Sequence, residues 1–356
     1  MLPLILRETS VIDLIWRALK WHFKYLVTGT PSPLACSCFV TNKCNFRCSF
    51  CNLWRKPGIT TLSLAQAKNI IDGLNDIGCY YLSISGGEPF LVDHLFDILG
   101  HAKKSNIKYI HVVTNGYLLN ADNARRLNDI GINDIAISID GVKERHDKQR
   151  GVAGAYDRAL EAVEHMKRYA PGVKVVLNAI LFPDEPFEVF HVAELAKRYD
   201  VFIKVQPLNQ LRAFDIHNCA NAVIQKINPA DLRLVIDRLK KDRRVVNSRI
   251  FLDNIYNFFC RREKLIFRSA RCYFGYHHIE ILETGMLFPC VEGMEWKNGR
   301  TFSGGLAELL ASEEYRKDVE RLKTCKGCQR VYLICYYEPR IKFPINNFIQ
   351  SCMGAI

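Results

Sequence analysis

Three cysteines within eight residues, Cys44, Cys48 and Cys51, constrain this chain more than any other feature of its sequence. Their CxxxCxxC spacing puts three thiolates on one short loop, enough to ligate three irons of a [4Fe–4S] cube that normally has four thiolate ligands. The fourth iron would then be open to a group that is not protein. A zinc knuckle is the alternative, but zinc sites usually pair CxxC with a second pair of ligands. Within ten residues on either side, the further candidates are Cys36 and Cys38.

A second motif, Gly86-Gly87-Glu88-Pro89, comes directly after the apolar run at residues 81–85. Two glycines at the carboxyl end of a strand let the backbone approach a ligand closely. A glutamate held beside them can accept hydrogen bonds from an ammonium group. Gly-Gly-Glu alone would be an ordinary turn, but its position after a strand and downstream of the cysteines supports a shared site.

Together the two motifs resemble those of the radical S-adenosylmethionine (radical SAM) enzymes, in which an aromatic residue, here Phe50, precedes the last cysteine. The resemblance implies that SAM chelates the open iron and that the Gly-Gly-Glu-Pro segment holds its amino group. It implies reductive cleavage of SAM to a 5′-deoxyadenosyl radical, which abstracts hydrogen from an unactivated carbon. The electron would come from a reductase or a ferredoxin-type donor.

Composition narrows the class of protein and its compartment. The chain has 356 residues and 49% hydrophobic content, enough for one large core and a smaller domain. Fourteen cysteines without a recognisable signal peptide indicate metal sites in a reducing cytoplasm and argue against disulfides. The formal charge of +12 fits nucleic acid, an anionic membrane or an acidic peptide. No nucleic-acid fold signature accompanies this charge, so we expect no nucleic-acid partner.

Strand-like apolar runs alternate with amphipathic helical stretches through the first two thirds of the chain. Predicted strands lie at residues 35–41, 81–85, 109–114, 134–139, 173–180 and 201–206. One helix should begin at Ser63, with Gln66 completing a capping box, and another should cover residues 121–130 and stop at Gly131. Six βα units predict a parallel sheet, and the resemblance favours an α/β partial (β/α)6 TIM barrel over a flavodoxin-like sheet.

The expected division of the chain has four parts. Residues 1–34 form an amphipathic helix, 35–215 the barrel, 216–271 a helical linker and 272–356 a small α+β domain. A helix with a basic end is predicted at residues 229–244 within the linker.

Polar residues stand at the predicted carboxyl ends of the strands, where barrels bind ligands. The resemblance implies SAM contacts there: the strand-four segment near the ribose, the strand-six segment near the adenine and Arg150 near the carboxylate. The candidates are Asn115, Ser138, Asp140, Arg150, Asn178 and Gln206. Each of them could instead be a turn or cap residue, because Asn, Asp and Gly are common in turns.

A second group of cysteines lies near the end of the chain, and its members are Cys272, Cys290, Cys325, Cys328, Cys335 and Cys352. The first four, with a hairpin glycine at Gly285, resemble the SPASM or twitch domains of radical SAM enzymes. A hairpin would put Cys272 and Cys290 on adjacent strands, and the CxxC pair would complete four ligands for one auxiliary [4Fe–4S] cluster.

This second group departs from the full SPASM spacing. Six residues separate Cys328 from Cys335, and the next cysteine is Cys352, so a second auxiliary cluster is not expected. A four-cysteine zinc site is the alternative, and Cys335 could replace one ligand. Other cysteines are expected in the core: Cys79, Cys219 and Cys260.

The N-terminal residues suggest an amphipathic helix with a start signal at Ser10 and Asp13. A charged stripe would contain Asp13, Arg17, Lys20 and Lys24, opposite an apolar face of Ile12, Ile15, Trp16, Leu19, Phe23 and Leu26. Charges interrupt every 18-residue window, which argues against a membrane span. The pattern fits an in-plane interfacial helix or, equally, a helix packed on the barrel or a partner.

The sequence therefore predicts radical SAM chemistry in a cytoplasmic enzyme peripheral on the inner membrane surface. Its N-terminal helix favours a lipid or membrane-associated substrate, since only radical chemistry functionalises a hydrocarbon chain. The segment before the barrel looks short for the leader-recognition domain that peptide maturases often carry. A peptide maturase or small-metabolite enzyme is the alternative, and a non-catalytic iron–sulfur electron carrier is the alternative outside enzymes.

Overall fold

The computed structural model of the protein describes residues 27–209, 227–265, 272, 274–290, 299–301, 305–325, 331–335 and 337–338, together with Trp16, Leu19, Lys20 and Phe23. Its strands are β1 Ala35–Phe39, β2 Tyr81–Ser85, β3 Tyr109–Thr114, β4 Asp134–Ser138, β5 Lys174–Leu181, β6 Phe202–Pro207, β7 His278–Ile281 and β8 Leu287–Phe288. Its helices are α1 Leu64–Asp76, α2 Leu95–Lys104, α3 Ala121–Ile130, α4 Lys143–Arg150, α5 Ala155–Tyr169, α6 Glu188–Arg198, α7 Pro229–Leu239, α8 Arg249–Cys260, α9 Phe274–His277, α10 Leu306–Ala311 and α11 Glu313–Lys323. Short 3₁₀ helices occupy Leu53–Arg55, Pro89–Leu91 and Arg262–Lys264.

The eight strands found among the described residues belong to one sheet, in the order β6-β5-β4-β3-β2-β1-β7-β8. The first seven pair in parallel, and β8 turns back antiparallel on β7. β6 and β8 stand at the two ends of this order, so the described strands do not close into a barrel. The predicted α/β partial barrel is therefore confirmed, and β7 and β8 extend it beyond the six predicted strands.

Local sequence signals explain where the helices begin and end. Ser63 accepts a hydrogen bond from the backbone of Gln66, whose side chain accepts one in return, so the predicted capping box is present. Gly131 ends α3 in the left-handed conformation, as predicted. The helix predicted over residues 229–244 ends five residues early, at Leu239, because residues 245–247 run alongside β6 instead.

The two faces of the sheet differ in character. Alternate strand residues such as Cys36, Leu82 and Ile110 face the helices and form the main apolar core. Cys36 and Cys38 both belong to that core, as does Cys79, whose predicted core position is confirmed. The opposite, interior face carries serines, tyrosines, histidines and charged residues in addition to a small apolar cluster. Because a structural sheet does not need buried polar residues, the interior face is the better candidate for ligand contacts.

The outer edge of β6 is covered by a polar side chain. The Asn247 side chain accepts a hydrogen bond from the backbone N–H of Val205 and donates one to its carbonyl, each at 2.8 Å. It thereby satisfies groups that a neighbouring strand would otherwise pair.

The described N-terminal residues partly match the predicted amphipathic helix. Trp16, Leu19, Phe23 and Val27 are helical, and their side chains are between 51% and 70% exposed. Ser10, Asp13, Arg17 and Lys24 lie outside the described residues. Within the described part of the chain, no helix is long and apolar enough to cross a membrane.

Candidate functional site

The cysteine loop follows β1 at the carboxyl edge of the sheet. Phe46, Cys48 and Ala155 form the buried centre of a small apolar cluster, and Cys44 and Cys51 pack at its margin. Burial raises the pKa of the Cys44 thiol to about 12 and also raises the pKa values of Cys48 and Cys51. A cluster that takes these residues as thiolates must therefore displace their protons.

The loop is fastened to the last turn of α4. The backbone N–H groups of Arg47 and Ser49 donate to the carbonyls of Arg150 and Gln149, at 3.1 and 2.8 Å. A side chain at Gly151 would collide with the carbonyl oxygen of Arg47, so only glycine allows this approach. The three thiols are thus presented on a loop with fixed backbone partners.

Arg150 is the last residue of α4, packs against this loop and is almost fully buried. Its Nε donates to Asp140 Oδ2 at 2.7 Å, and its guanidinium lies 5.0 Å from the Phe50 ring centroid. After burial, its positive charge is the largest influence on the pKa of the Cys48 thiol, which it lowers. The predicted contact of Arg150 with the SAM carboxylate stays a prediction, while its observed neighbours are a cysteine, an aspartate and an aromatic ring.

The Gly-Gly-Glu-Pro segment packs directly against the start of the cysteine loop. The N–H groups of Gly87 and Glu88 donate to the carbonyls of Thr41 and Lys43, at 2.7 and 2.8 Å. A Cβ at Gly86 or Gly87 would overlap those same carbonyl oxygens. The two predicted motifs therefore pack against each other, and the glycines are required by contact with the chain's own backbone. Their predicted role in the approach of a ligand stays a prediction.

Glu88 is fully buried, and both carboxylate oxygens have protein partners. Oε1 accepts from Thr114 Oγ1 at 2.7 Å and from the Phe90 N–H at 3.1 Å, while Oε2 accepts from the Asn115 N–H at 2.8 Å. Burial raises the pKa of Glu88 to about 7, although these donors lower it. Glu88 thus ties the glycine segment to the end of β3, and its predicted contact with the SAM amino group stays a prediction.

Asn115 connects the same strand end to the cysteines. Its Nδ2 donates to Asn45 Oδ1 at 2.8 Å, and its Oδ1 accepts from the Tyr117 N–H at 3.0 Å. Asn45 stands between Cys44 and Cys48 and was not singled out from the sequence. Its position directly after a predicted ligand was the signal that could have identified it.

The remaining candidates lie further along the same edge of the sheet. Ser138 pairs with Asn178, and Gln206 pairs with Ile180 on the neighbouring strand. Asp140 is buried with both oxygens in use, since Oδ1 accepts from the Ile180 N–H at 3.0 Å and Oδ2 from Arg150. The structure brings these residues to one edge, and their individual SAM contacts stay predictions.

The donor set fits an iron–sulfur cube. Thiolate sulfur is the preferred ligand of iron–sulfur clusters, and a cube places each thiolate on a different iron. Among the described residues, no three Cys, His, Asp or Glu side chains converge as they would around one metal ion. Three thiols on one partly buried loop are the kind of donors that a cube needs, and the glycine segment packs directly against that loop.

The second cysteine group does not have the predicted arrangement, in which Cys272 and Cys290 lie on adjacent strands of a hairpin. Gly285 does turn the hairpin, at φ +78°, but neither cysteine lies on a strand. The backbone N–H of Cys272 donates to the Lys323 carbonyl at 3.3 Å, and that of Cys325 donates to the Leu322 carbonyl at 3.0 Å. Cys272 and Cys325 therefore meet at the last turn of α11. In the chain, Cys272 lies two residues before the start of α9.

The structure describes only some of the other cysteines of the second group. Cys290 is buried two residues beyond β8, whereas Cys328 and Cys352 lie outside the described residues. Cys335 acts electrostatically on Tyr81 and Lys204 of the sheet. Cys260 is half-buried and packs against the core, and Cys219 lies outside the described residues.

One contact links the two cysteine regions. Lys56 Nζ, just beyond the first cysteine loop, forms an ion pair with Glu283 Oε1 at 3.1 Å. Glu283 belongs to the turn between β7 and β8, and its other carboxylate oxygen is buried without a hydrogen-bond partner in the part of the chain that the structure describes. This pairing was not predicted, because the residues are far apart in sequence.

Comparison with known proteins agrees with this geometry. Residues 38–196 match the family profile of the Radical SAM superfamily. Fe-coproporphyrin III synthase of Methanosarcina barkeri is 31% identical over 141 residues, which is 39% of this chain and 35% of that protein. The first curated relatives are matched over 35% to 53% of their own length.

Two solved structures share the fold over most of the chain. Streptococcus suis SuiB bound to precursor peptide SuiA has a TM-score of 0.67 and 17% identity, covering 91% of this chain and 76% of SuiB. Native anSMEcpe with bound AdoMet and Cp18Cys peptide has a TM-score of 0.61 and 17% identity, covering 91% of this chain and 100% of that chain. The matched regions thus extend beyond the barrel into the part that carries the second cysteine group.

Proposed function

We propose, from the premise that this chain is a radical SAM enzyme with SAM and a [4Fe–4S] cluster as cofactors, that it abstracts hydrogen from an unactivated carbon of a peptide. The observation that supports the reaction is the single site formed by the cysteine loop and the glycine segment. Support for the peptide comes from the fold shared with SuiB and anSMEcpe, each solved with a peptide. This choice replaces the lipid substrate favoured by the sequence, which finds no support among the relatives.

The chain's own residues would hold the cofactors as follows. Cys44, Cys48 and Cys51 would ligate three irons, and the backbone of Gly86 and Gly87 would line the SAM site. When bound, the cluster and SAM supply electron-driven cleavage to a 5′-deoxyadenosyl radical, which abstracts the hydrogen. Fixed backbone partners keep the thiols in place, so little reorganisation is needed when the electron arrives.

Neighbouring residues would orient the site and exclude water from it. Glu88 and Asn115 join the cysteine loop, the glycine segment and the end of β3 through hydrogen bonds of 2.7–3.1 Å. Arg150 places a buried positive charge beside Cys48, where it favours the thiolate form. Water exclusion protects a reactive intermediate from side reactions.

The C-terminal cysteines would hold one auxiliary [4Fe–4S] cluster in a SPASM/twitch-like region. Cys272 and Cys325 meet at α11, and the proposed set is completed by Cys290 and Cys328. The cluster would receive the substrate electron or bind the substrate, and an external reductase or ferredoxin-type protein would supply the first electron. The four predicted domains remain part of this proposal, although β7 pairs directly with β1 of the barrel.

Deuterium transfer would test the substrate class directly. Cells of the source organism grown in deuterated medium would yield three fractions: peptides, lipids and small metabolites. The enzyme, reduced anaerobically with unlabelled SAM, should form deuterated 5′-deoxyadenosine with the peptide fraction. Label from the lipid or metabolite fraction alone would replace the peptide proposal with one of its alternatives, and absence of 5′-deoxyadenosine in all three would contradict the reaction.

We also propose that the N-terminal segment holds the enzyme on an anionic membrane surface, independently of what the substrate is. Trp16, Leu19 and Phe23 are exposed helical residues, and burial of each in the headgroup–acyl boundary would contribute roughly 1.5–3 kcal/mol. Wild type should float with anionic liposomes, whereas a variant with all three changed to serine should not. Equal flotation of the two proteins, or none by either, would contradict membrane binding by this helix.

A further inference from the structure

The interior of the barrel contains a continuous row of buried polar side chains. Strand register places Glu280, Ser37, Ser83, His111 and Asp134 side by side on β7, β1, β2, β3 and β4. All of these residues except Ser37 are buried, and each of them is at most 8% exposed. Such a row is costly unless its members satisfy one another or a ligand.

The aspartate of this row is already satisfied by its neighbours. Asp134 Oδ2 accepts from the Tyr109 hydroxyl at 2.7 Å, and Oδ1 is hydrogen-bonded to His111 Nδ1. The Tyr81 ring stacks on both Tyr109 and His111, with centroid separations of 5.5 and 6.0 Å. This network uses the acceptors of Asp134 and fixes its position on the wall.

Lys204 faces the same interior from β6 and lacks such a partner. It continues a second row, in which Ser138 pairs with Asn178 and Asn178 pairs with Lys204. Lys204 is 6% exposed, and within the described residues its ammonium makes neither a hydrogen bond nor an ion pair within 4.0 Å. Asp134 and Cys335 act on it only through longer-range electrostatics, while burial lowers its pKa.

We propose that Lys204 binds a carboxylate of the substrate inside the barrel, so that the modified peptide is acidic at or near the reacting residue. The inference rests on the proposed function, because it assigns a substrate class to that same site. An unpaired buried ammonium destabilises the fold, and a carboxylate ligand would offset this through a charge-assisted hydrogen bond. Ser138 and Asn178, predicted SAM contacts, share its row, so a ligand held by Lys204 would lie next to SAM.

The charge of the whole chain fits the same substrate. A formal net charge of +12 draws acidic peptides toward the protein before any specific contact forms. Lys204 would then select the residue that enters the barrel, since a site built for a carboxylate discriminates against its amide analogue.

Binding of two matched peptides tests the proposal. The probes are a blocked five-residue peptide with a central glutamate and its glutamine twin, measured by equilibrium binding to the anaerobic, reconstituted enzyme with SAM. Wild type should bind the glutamate peptide at least about tenfold more tightly, whereas Lys204→Met should bind the two within about twofold. Lys204→Arg should retain the preference, because it keeps the charge.

Two further readouts separate this role from a structural one. Lys204→Met should unfold at a higher temperature than wild type, since it removes a buried charge without a partner, and Lys108→Met, the same change at an exposed position, should alter neither property. Equal binding of both peptides by wild type, a preference that survives in Lys204→Met, or a Lys204→Met protein that is less stable or unfolded would each overturn the proposal. SAM cleavage by wild type is scored separately, so failure of the radical reaction is distinguishable from failure of this inference.

Discussion

The two cysteine regions are built in opposite ways. In the first, three cysteines lie on one loop, and backbone hydrogen bonds attach that loop to α4 and to the glycine segment. In the second, Cys272 and Cys325 come from distant segments that meet at the last turn of α11, and Cys290 lies two residues beyond β8. The first group is organised locally, whereas the second group can come together only once distant parts of the chain have packed.

This difference explains which site the sequence reveals more fully. A ligand set on one loop depends on spacing, and spacing is visible in sequence. A set assembled by packing depends on where each segment ends, and here the predicted hairpin geometry of Cys272 and Cys290 was wrong. The first group should therefore lose its cluster when any one of its cysteines is removed. Loss of the second group's cysteines should leave the first cluster in place.

The largest expected effect is on SAM cleavage. Changing Cys44, Cys48 or Cys51 to alanine should reduce 5′-deoxyadenosine formation to the level of a buffer control, because a cube missing a thiolate loses its anchored geometry. Cys272→Ala should leave SAM binding intact, and Cys260→Ala, outside both groups, should behave as wild type. Undiminished cleavage by a variant lacking all three loop cysteines would contradict the site.

The second largest expected effect is on iron content, which should distinguish the two cysteine regions. A variant lacking Cys44, Cys48 and Cys51 should keep about four irons and four sulfides, and further loss of Cys272 and Cys290 should remove them. Cys335→Ala in the triple variant should keep its iron, because Cys335 is not one of the four proposed ligands. Zinc without sulfide in the triple variant would identify the C-terminal group as a zinc site.

A smaller effect should follow from adding one methyl group to the glycine segment. Gly87→Ala would force a Cβ onto the Lys43 carbonyl and should lower the free energy of unfolding by about 1–3 kcal/mol while weakening SAM binding. The same change at Gly100, in the middle of α2 with open space around it, should stabilise by about 0.5–1 kcal/mol. Similar stabilities for the two variants would contradict the tight packing of the motifs.

The last expected effect is a dependence on pH that is spread over several units and is therefore small at each step. The pKa of Glu88 is raised by burial to about 7 from an ordinary value of 4.5, so its contribution to stability is present below 4.5 and is lost as pH rises through 7. The stability of wild type relative to Glu88→Gln should therefore fall between pH 5 and 8. Thermal unfolding at each pH measures this, with exposed Glu308→Gln as the control, and a difference that rises with pH would contradict the buried site.

The features that could be predicted from the sequence are local ones, and those that could not depend on packing between distant segments. Both motifs, the strand order that places them together and the caps at Ser63 and Gly131 follow from local patterns. The polar interior was missed because each residue stands alone in its strand: His111 and Lys204 interrupt apolar runs whose partners are set only by register. A lysine within a buried parallel strand was the available signal for the second of these.

The pairing of β7 with β1 has a consequence for how the protein is made. Ser37 on β1 is hydrogen-bonded to His278, 241 positions later, so the two strands cannot meet until most of the chain has left the ribosome. At about 5–20 residues per second, one edge of β1 waits for roughly 12 seconds or longer before its neighbour is synthesised. The first cysteine loop is therefore complete well before the sheet beside it, and iron delivered during translation would meet these three thiols before those of the second group.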